Sequence, residues 1–182
     1  MSEARHLMTK VVLVGDKAVG KTSMIRRFVL DEFDDRYMLT LGAKVEKKVL
    51  DVDVPERGAR ATLDMNIWDI MGQVGFRQLA KEAYFHGARG IFAVIDLTRR
   101  DTLAGVGEWV RVVQDVTGPI PMVLVANKKD LANQAAITPA QLEAVGHQLG
   151  CAAFLTSART GENVEAAFRQ LATLIVRAHF QV

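Results

Sequence analysis

Residues 15–22 have the sequence GDKAVGKT, which matches the pattern G-x-x-x-x-G-K-[ST]. A short β-branched run at residues 10–14 precedes it, and residues 20–30 follow with the apolar spacing of a helix. A strand that turns directly into a helix leaves backbone N–H groups and the positive end of the helix dipole free to hold an anion. The segment therefore predicts a strand, a phosphate-binding loop and a helix, in that order.

Two side chains of this loop have predicted roles of their own. Lys21 is expected to reach the β- and γ-phosphates of a nucleotide, and the Thr22 hydroxyl is expected to ligate Mg²⁺. The alternative is a glycine-containing turn that binds nothing, but the complete motif in its strand-to-helix context favours phosphate binding. The residues predicted to contact the phosphates are Asp16, Lys17, Ala18, Val19, Gly20, Lys21, Thr22 and Ser23.

The rest of the chain alternates between apolar runs and segments of helical period, which predicts a parallel sheet covered on both faces. Strands are predicted at residues 10–14, 43–54, 62–69, 90–97, 122–126 and 152–155. Helices are predicted at residues 20–30, 76–85, 102–116 and 139–149, and a final helix is expected to be capped by Asn163. The prediction is one α/β domain over residues 1–182, with a six-stranded mixed sheet, five strands parallel and one antiparallel at the edge, and about five helices.

Composition and charge exclude several classes of protein. The formal net charge is +2 with both signs scattered along the chain, so nothing favours nucleic acid as a partner. The single cysteine, Cys151, cannot form an internal disulfide, and it shows no metal-ligand spacing with the four histidines. The chain ends carry neither a secretion signal nor a lipidation motif. We therefore expect a cytoplasmic protein without a lipid anchor.

A second motif is expected to select the base of the nucleotide. Asn127, Lys128 and Asp130 belong to the segment NKKD, which directly follows the apolar run at residues 122–126. A carboxylate at the carboxyl end of the sheet can accept two N–H bonds from guanine, and adenine offers no such pair of donors. The alternative is a lysine-rich surface turn. Because the motif lies downstream of a phosphate loop and a strand, guanine recognition by Asp130 is favoured.

With these two motifs, the sequence resembles the Ras superfamily of small GTPases, and within it the Rab branch. The resemblance extends from about residue 10 to residue 178. Three further motifs follow in the family's order: YMLTLG at residues 37–42, WDIMGQ at 68–73 and TSAR at 156–159. The resemblance implies a GTP-binding switch that hydrolyses GTP slowly, with Mg²⁺ as cofactor.

The resemblance also implies roles for individual residues. Thr40 would place its hydroxyl on Mg²⁺ and its amide on the γ-phosphate, and Asp69 would hold Mg²⁺ through water. The Gly72 amide would contact the γ-phosphate, and Gln73 would orient the attacking water. Phe33 would pack edge-on to the guanine. The remaining residues implied at the base and the nucleotide are Tyr37, Ser157, Ala158, whose amide would meet guanine O6, and Arg159. The implied catalytic set is Lys21, Thr40, Gly72 and Gln73, and the implied metal set is Thr22, Thr40 and Asp69.

Two loops, residues 34–42 and 70–80, are implied to order around GTP and to be read by effector, exchange and activating proteins. Trp68 alternates out of phase with Leu63, Met65 and Ile67, so it is expected to face away from the core of those three residues. A large exposed aromatic is a frequent anchor of a partner surface. The alternative is that the protein's own second loop covers it.

Several positions depart from the family pattern. Ile70 and Met71 replace a threonine and an alanine in the second loop, and Val74 replaces a glutamate. Lys17 occupies a position of the phosphate loop where small residues are usual. These departures motivate an alternative function, a binding module that holds nucleotide without hydrolysing it. A P-loop kinase of small metabolites is a further alternative, opposed by the guanine motif and by the absence of a recognisable lid.

Overall fold

The computed structural model of the protein describes residues 5–180 and, within them, every side chain except those of Arg57, Ala59 and Glu82. The predictions about the chain ends, namely the missing secretion signal and lipidation motifs, rest on segments that include residues outside this range. Within residues 5–180, no helix combines the length and the apolar character needed to cross a membrane.

The six strands form one sheet in the spatial order β2-β3-β1-β4-β5-β6. They are β1 (Arg5–Val14), β2 (Ala43–Val54), β3 (Ala59–Ile70), β4 (Gly90–Asp96), β5 (Met122–Asn127) and β6 (Ala152–Leu155). The edge strand β2 runs antiparallel to β3, and the other neighbouring pairs are parallel. The predicted mixed sheet with one antiparallel edge strand is confirmed.

Five α-helices cover the two faces of the sheet in the described part of the chain. They are α1 (Lys21–Leu30), α2 (Arg77–Tyr84), α3 (Arg100–Thr117), α4 (Pro139–Leu149) and α5 (Val164–His179). Short 3-10 helices span Pro55–Arg57, Val74–Phe76 and Lys129–Gln134. Every residue of β4 and β5 is buried, as expected for parallel strands with helices on both sides.

Each face of the sheet has its own apolar core. On the α1 and α5 side, the ring of Phe168 stacks between Phe28 and Phe92, with centroids 4.1 and 4.2 Å away. On the other side, α3 and α4 pack over β4 and β5, and Trp109 of α3 is fully buried there. The helical spacing of residues 20–30 correctly predicts the inward residues of α1, which include Met24 and Ile25.

Two local predictions differ from the structure. Strand β1 begins five residues before the predicted start at residue 10, because Arg5 to Thr9 pair in register with β3 although their side chains are mostly exposed. The Asn163 side chain makes no capping bond, so its predicted role is wrong. Asn163 adopts φ 57°, and its Nδ2 donates to the Leu155 carbonyl at 2.9 Å, which draws the side chain away from the helix end. Thr138 does cap α4, through a reciprocal pair with Gln141.

Trp68 lies on the predicted face of β3, opposite the core that holds Leu63, Met65 and Ile67. It is only half-exposed, because it packs against the second core. The ring of Tyr84, at the end of α2, lies 6.2 Å away, and the Lys10 ammonium lies 4.0 Å above the indole. Trp68 is therefore not the freely exposed anchor that the alternation of β3 predicts.

Candidate nucleotide-binding site

A cavity of 450 Å³ opens at the carboxyl ends of β1, β3 and β5. The predicted site residues that line it are Lys17, Ala18, Gly20, Lys21, Thr22, Ser23, Phe33, Tyr37, Thr40, Asp69, Gly72, Asn127, Lys128, Asp130, Ala158 and Arg159. Residues from five separate segments of the sequence thus meet around one space. Phe33 lines this cavity, as its predicted contact with guanine requires. It also packs against the first core, so it serves the packing of the protein as well.

Four predicted residues do not line the cavity. Val19 is buried in the first core, and Ser157, in the loop that follows β6, is fully buried. Gln73 is exposed just before the 3-10 helix that leads into α2. The Asp16 carboxylate turns towards α3 and α2, where it accepts hydrogen bonds from Trp109 Nε1 at 2.8 Å and Arg77 Nη2 at 3.2 Å. Asp16 therefore fixes the loop through its side chain rather than facing a nucleotide.

The phosphate loop depends on glycine where other chain segments approach it. Gly20 has φ 100°, and a Cβ there would lie 2.2 Å from Asn127 Nδ2. Gly72, from the second loop (residues 70–80), comes so near that a Cβ there would lie 2.6 Å from both the Lys17 amide nitrogen and Lys21 Nζ. A side chain at either position would force these segments apart, so the glycines permit the close approach on which the site depends.

Lys21 carries the central positive charge of the cavity. Its Nζ donates to the Gly15 carbonyl at 2.7 Å and to the Asp16 carbonyl at 2.9 Å. Burial lowers the pKa of Lys21 to about 8, although the negative charges of Asp69 and Asp16 act in the opposite direction. A phosphate group would supply the anionic partner that this buried ammonium lacks.

The three predicted metal ligands converge at one point of the cavity. Thr22 Oγ1 donates to Asp69 Oδ2, Thr40 Oγ1 lies 3.3 Å from the same oxygen, and the two hydroxyl oxygens are 3.1 Å apart. Asp69 Oδ1 is buried and, among residues 5–180, finds no hydrogen-bond donor. Burial raises the pKa of Asp69, against the effect of the Thr22 hydroxyl.

These oxygens fit Mg²⁺, which prefers hard oxygen ligands and commonly takes only one or two carboxylates from the protein. No cluster of three or more His, Cys, Asp or Glu side chains suited to a metal occurs in the described part of the chain. A divalent ion at Thr22, Thr40 and Asp69 would therefore need further oxygens, and the phosphates of a nucleotide are suitable ones.

Three residues of the NKKD segment, Asn127, Lys128 and Asp130, also line the cavity, and Asn127 has a structural role there. Asn127 bridges two loops, since its Nδ2 donates to the Val19 carbonyl at 3.0 Å and its Oδ1 accepts from the Ala158 amide at 3.0 Å. The Ala158 amide, predicted to meet guanine O6, thus already has a partner. The reason is that the buried Asn127 oxygen requires a donor.

The Asp130 carboxylate is exposed, and one of its oxygens accepts from Ser157 Oγ at 2.7 Å. That bond fixes the orientation of the carboxylate while leaving acceptor capacity on the other oxygen. Lys128 lies between the two recognition residues with φ 72°, and its ammonium pairs with the buried Asp96 at 2.6 Å. The arrangement presents a fixed acceptor of the kind that guanine requires.

Sequence reasoning missed several residues that hold this site together. Arg27 donates from Nε to the Ala158 carbonyl at 2.9 Å and from Nη2 to the Arg159 carbonyl at 2.6 Å, which secures the loop after β6 against α1. Arg77, Trp109 and Arg99 likewise hold the phosphate loop from outside. None of these residues belongs to a recognisable motif, because their contacts join segments far apart in the sequence.

The fold and the site define a class of protein. A phosphate loop between β1 and α1, a base-side loop after β5 and a mixed six-stranded sheet are together those of a P-loop nucleotide-binding protein.

Comparison with known proteins identifies the family. The profile described as Ras family matches residues 10–177, so the chain belongs to the Ras family. It is 34% identical over 169 residues to Ras-related protein YPT3 of Nicotiana plumbaginifolia, an alignment that covers 92% of this chain and 74% of the relative. It is 34% identical over 167 residues to Ras-related protein SEC4 of Saccharomyces cerevisiae, with coverages of 91% and 74%. Ras-related protein Rab-36 of Mus musculus is 37% identical over 171 residues, with coverages of 92% and 61%. The predicted resemblance to Rab-like small GTPases is confirmed.

Proposed function

We propose that this protein binds GTP and GDP with Mg²⁺ and hydrolyses GTP slowly, so that its two switch loops differ between the nucleotide states. The observation that carries the proposal is that Lys21 and Asp130 face the same 450 Å³ cavity from its two ends. A buried cation suits phosphates, and a fixed carboxylate suits the N–H pair of guanine.

The residues of the chain would divide the reaction among them. Lys21 and the amides of the phosphate loop would hold the β- and γ-phosphates, and Thr22, Thr40 and Asp69 would hold Mg²⁺. When bound, the ion neutralises charge that develops on the phosphate oxygens. Gln73 would orient the water that attacks the γ-phosphate in line. Because Gln73 is exposed outside the cavity lining, the second loop must carry it inwards before this step.

A binding module without hydrolysis is the second candidate function. Its specific support is the exposed position of Gln73, together with Ile70 and Met71, which place larger apolar side chains at the start of the second loop. Ile70 is fully buried in the second core, so the chain there is held by packing as well as by any nucleotide.

Single-turnover phosphate release distinguishes the two candidates. We expect GTP loaded on the pure protein to be hydrolysed at about 10⁻⁴ to 10⁻² per second, and Gln73→Leu to slow the reaction at least tenfold because leucine cannot align the water. Gln78→Leu is the matched control, since Gln78 is also exposed but lies within α2. Tight GTP binding without phosphate release over a day would establish the binding module instead.

The same proposal includes the surface that partner proteins would recognise. The first loop exposes Tyr37, Met38 and Leu41, which are 62%, 61% and 77% exposed. The second exposes Val74 and Leu79. The loops are tied to each other, because the Met71 amide donates to the Gly42 carbonyl at 2.9 Å. Apolar side chains on loops that respond to nucleotide suit a partner that reads the GTP state.

A further inference from the structure

The carbonyl groups of the phosphate loop accept hydrogen bonds from three side chains, those of Arg99, Asn127 and Lys21. Arg99, which precedes α3, donates from Nη2 to the Lys17 carbonyl at 2.7 Å. Asn127 donates to the Val19 carbonyl at 3.0 Å, and Lys21 holds the two carbonyls at the start of the loop. The Asn127 and Lys21 contacts come from the two sequence motifs. The Arg99 contact belongs to neither of them.

The peptide that Arg99 holds leads into a residue with an unfavourable backbone conformation, Ala18. Ala18 has φ 62°, in the left-handed region that costs a residue with a Cβ roughly 1 kcal/mol or more. Its amide nitrogen belongs to the same planar peptide as the Lys17 carbonyl. In a trans peptide the N–H and C=O groups point in opposite directions. A donor that fixes the Lys17 carbonyl therefore also fixes the direction of the Ala18 N–H, on a residue that lines the cavity.

Arg99 is itself fixed by a buried carboxylate. Its Nε lies 3.3 Å from Asp96 Oδ2, an ion pair rather than a well-aligned hydrogen bond. Asp96 is 1% exposed, and the same oxygen pairs with the Lys128 ammonium at 2.6 Å. Its other oxygen accepts from the Thr98 amide and hydroxyl at 2.9 and 2.7 Å. The buried Asp96 thus links Lys128, in the loop after β5, to Arg99, which holds the phosphate loop.

We propose that Arg99, oriented by Asp96, is a positioning residue of the nucleotide site: it holds the Lys17–Ala18 peptide with its N–H directed at the phosphates. Through Asp96 and Lys128, it also couples the phosphate end of the site to the base end. This inference rests on the proposed function. It concerns how tightly a guanine nucleotide is held and not which base is selected.

The test is the dissociation rate of GDP bound to the full chain, measured by chasing a fluorescent GDP analogue with excess GDP. We expect Arg99→Ala to release nucleotide about tenfold faster, because a charge-assisted hydrogen bond that holds the loop is lost. Arg100→Ala is the charge-matched control. Arg100 is the next residue and is exposed, and it should change the rate less than about twofold.

Two further measurements separate positioning from a general loss of structure. The ³¹P chemical shift of the β-phosphate of bound GDP should move in Arg99→Ala and stay unchanged in Arg100→Ala. Arg99→Lys, which keeps the charge but loses the second donor group, should give an intermediate rate. Should Arg99→Ala fail to fold, the Arg99→Lys rate and ³¹P shift carry the test.

The outcomes distinguish this inference from the function on which it rests. Wild-type protein that binds no GDP overturns both. Wild-type protein that binds GDP, beside Arg99 variants whose rates and ³¹P shifts match those of Arg100→Ala, overturns this inference alone. A faster release with a displaced ³¹P signal supports it, and Asp96→Asn should then reproduce the same displacement.

Discussion

Lys21 is a buried lysine in the cavity lining, and we expect its charge to depend on whether the cavity holds a phosphate. In the absence of phosphate its partners are two backbone carbonyls, and burial lowers its pKa to about 8. The doubly charged ends of a nucleotide would favour the ammonium form and raise that pKa again. As the pH rises past about 8, Lys21 of the free protein therefore becomes mainly neutral, and we expect nucleotide binding to restore its proton.

Nucleotide binding should accordingly take up protons at alkaline pH. With a free pKa of about 8, the uptake that Lys21 contributes should rise from about a tenth of a proton at pH 7 to about three quarters at pH 8.5. Calorimetry of GDP binding in buffers with different ionisation enthalpies measures this number. Lys21→Met, studied at higher concentration, should remove the rise. If the wild type takes up the same number of protons at pH 7 and at pH 8.5, Lys21 does not have the lowered pKa that its burial implies.

Helix α2 is attached to the phosphate loop by a partly buried contact. The Arg77 guanidinium lies 3.2 Å from Asp16 Oδ1 and 4.8 Å above the Trp109 ring, while the Trp109 indole donates to the same carboxylate oxygen. The three residues come from α2, the phosphate loop and α3. They therefore hold the end of the second loop, residues 70–80, in a fixed place relative to the phosphate loop.

Removing the cation from this contact should cost more stability than removing a surface pair between the same helices. Arg77→Met keeps the apolar packing on Trp109 but leaves the partly buried Asp16 with the Trp109 indole and without its counter-charge, which should cost about 2 kcal/mol. Lys81→Met breaks the more exposed Lys81–Asp115 pair, also between α2 and α3, and should cost under about 1 kcal/mol. Urea unfolding of the nucleotide-free protein measures both losses of stability. Equal losses would show that the Arg77–Asp16 contact stabilises the fold no more than the Lys81–Asp115 pair does.

What the sequence predicts about the elements, and what it does not, has a physical basis. Strands such as β4 and β5 are predicted because continuous apolar runs reflect burial on both faces. The first half of β1 is missed because its side chains are mostly exposed and only its backbone pairs with β3. The motif residues around Lys21 and Asp130 are found because their chemistry needs fixed residue types at fixed spacing. The supporting cations Arg27, Arg77 and Arg99 are missed because their partners lie in distant segments.

The same distinction explains why Trp68 is predicted only in part. Alternation along β3 assigns its face correctly, since that depends on the strand alone. Its exposure depends on Tyr84 and Lys10, which reach it through the packing of α2 and the pairing of β1. A tertiary contact of this kind is not contained in the period of one strand.

For the whole molecule, the proposed switch requires that GTP order two loops that GDP leaves free. The γ-phosphate is the group that Thr40 and Gly72 would share, and both residues line the cavity. Hydrogen exchange should therefore slow at residues 34–42 and 70–76 when GDP is replaced by a non-hydrolysable GTP analogue. In α2, beyond the Arg77 anchor, we expect a smaller difference. Exchange that is equal in the two nucleotide states across both loops would end the switch proposal.

We propose that one cavity binds guanine nucleotides because Asp130 selects the base. Competition of GDP, ADP and XDP against a fluorescent guanine nucleotide, bound to the wild type and to Asp130→Asn, measures this selection. The wild type should bind GDP at least about a hundredfold more tightly than ADP, since adenine would leave the carboxylate without its donors. Asp130→Asn should come to prefer XDP, because the new amide N–H matches the additional carbonyl of xanthine. Equal affinity of the wild type for GDP and ADP would contradict base selection by Asp130.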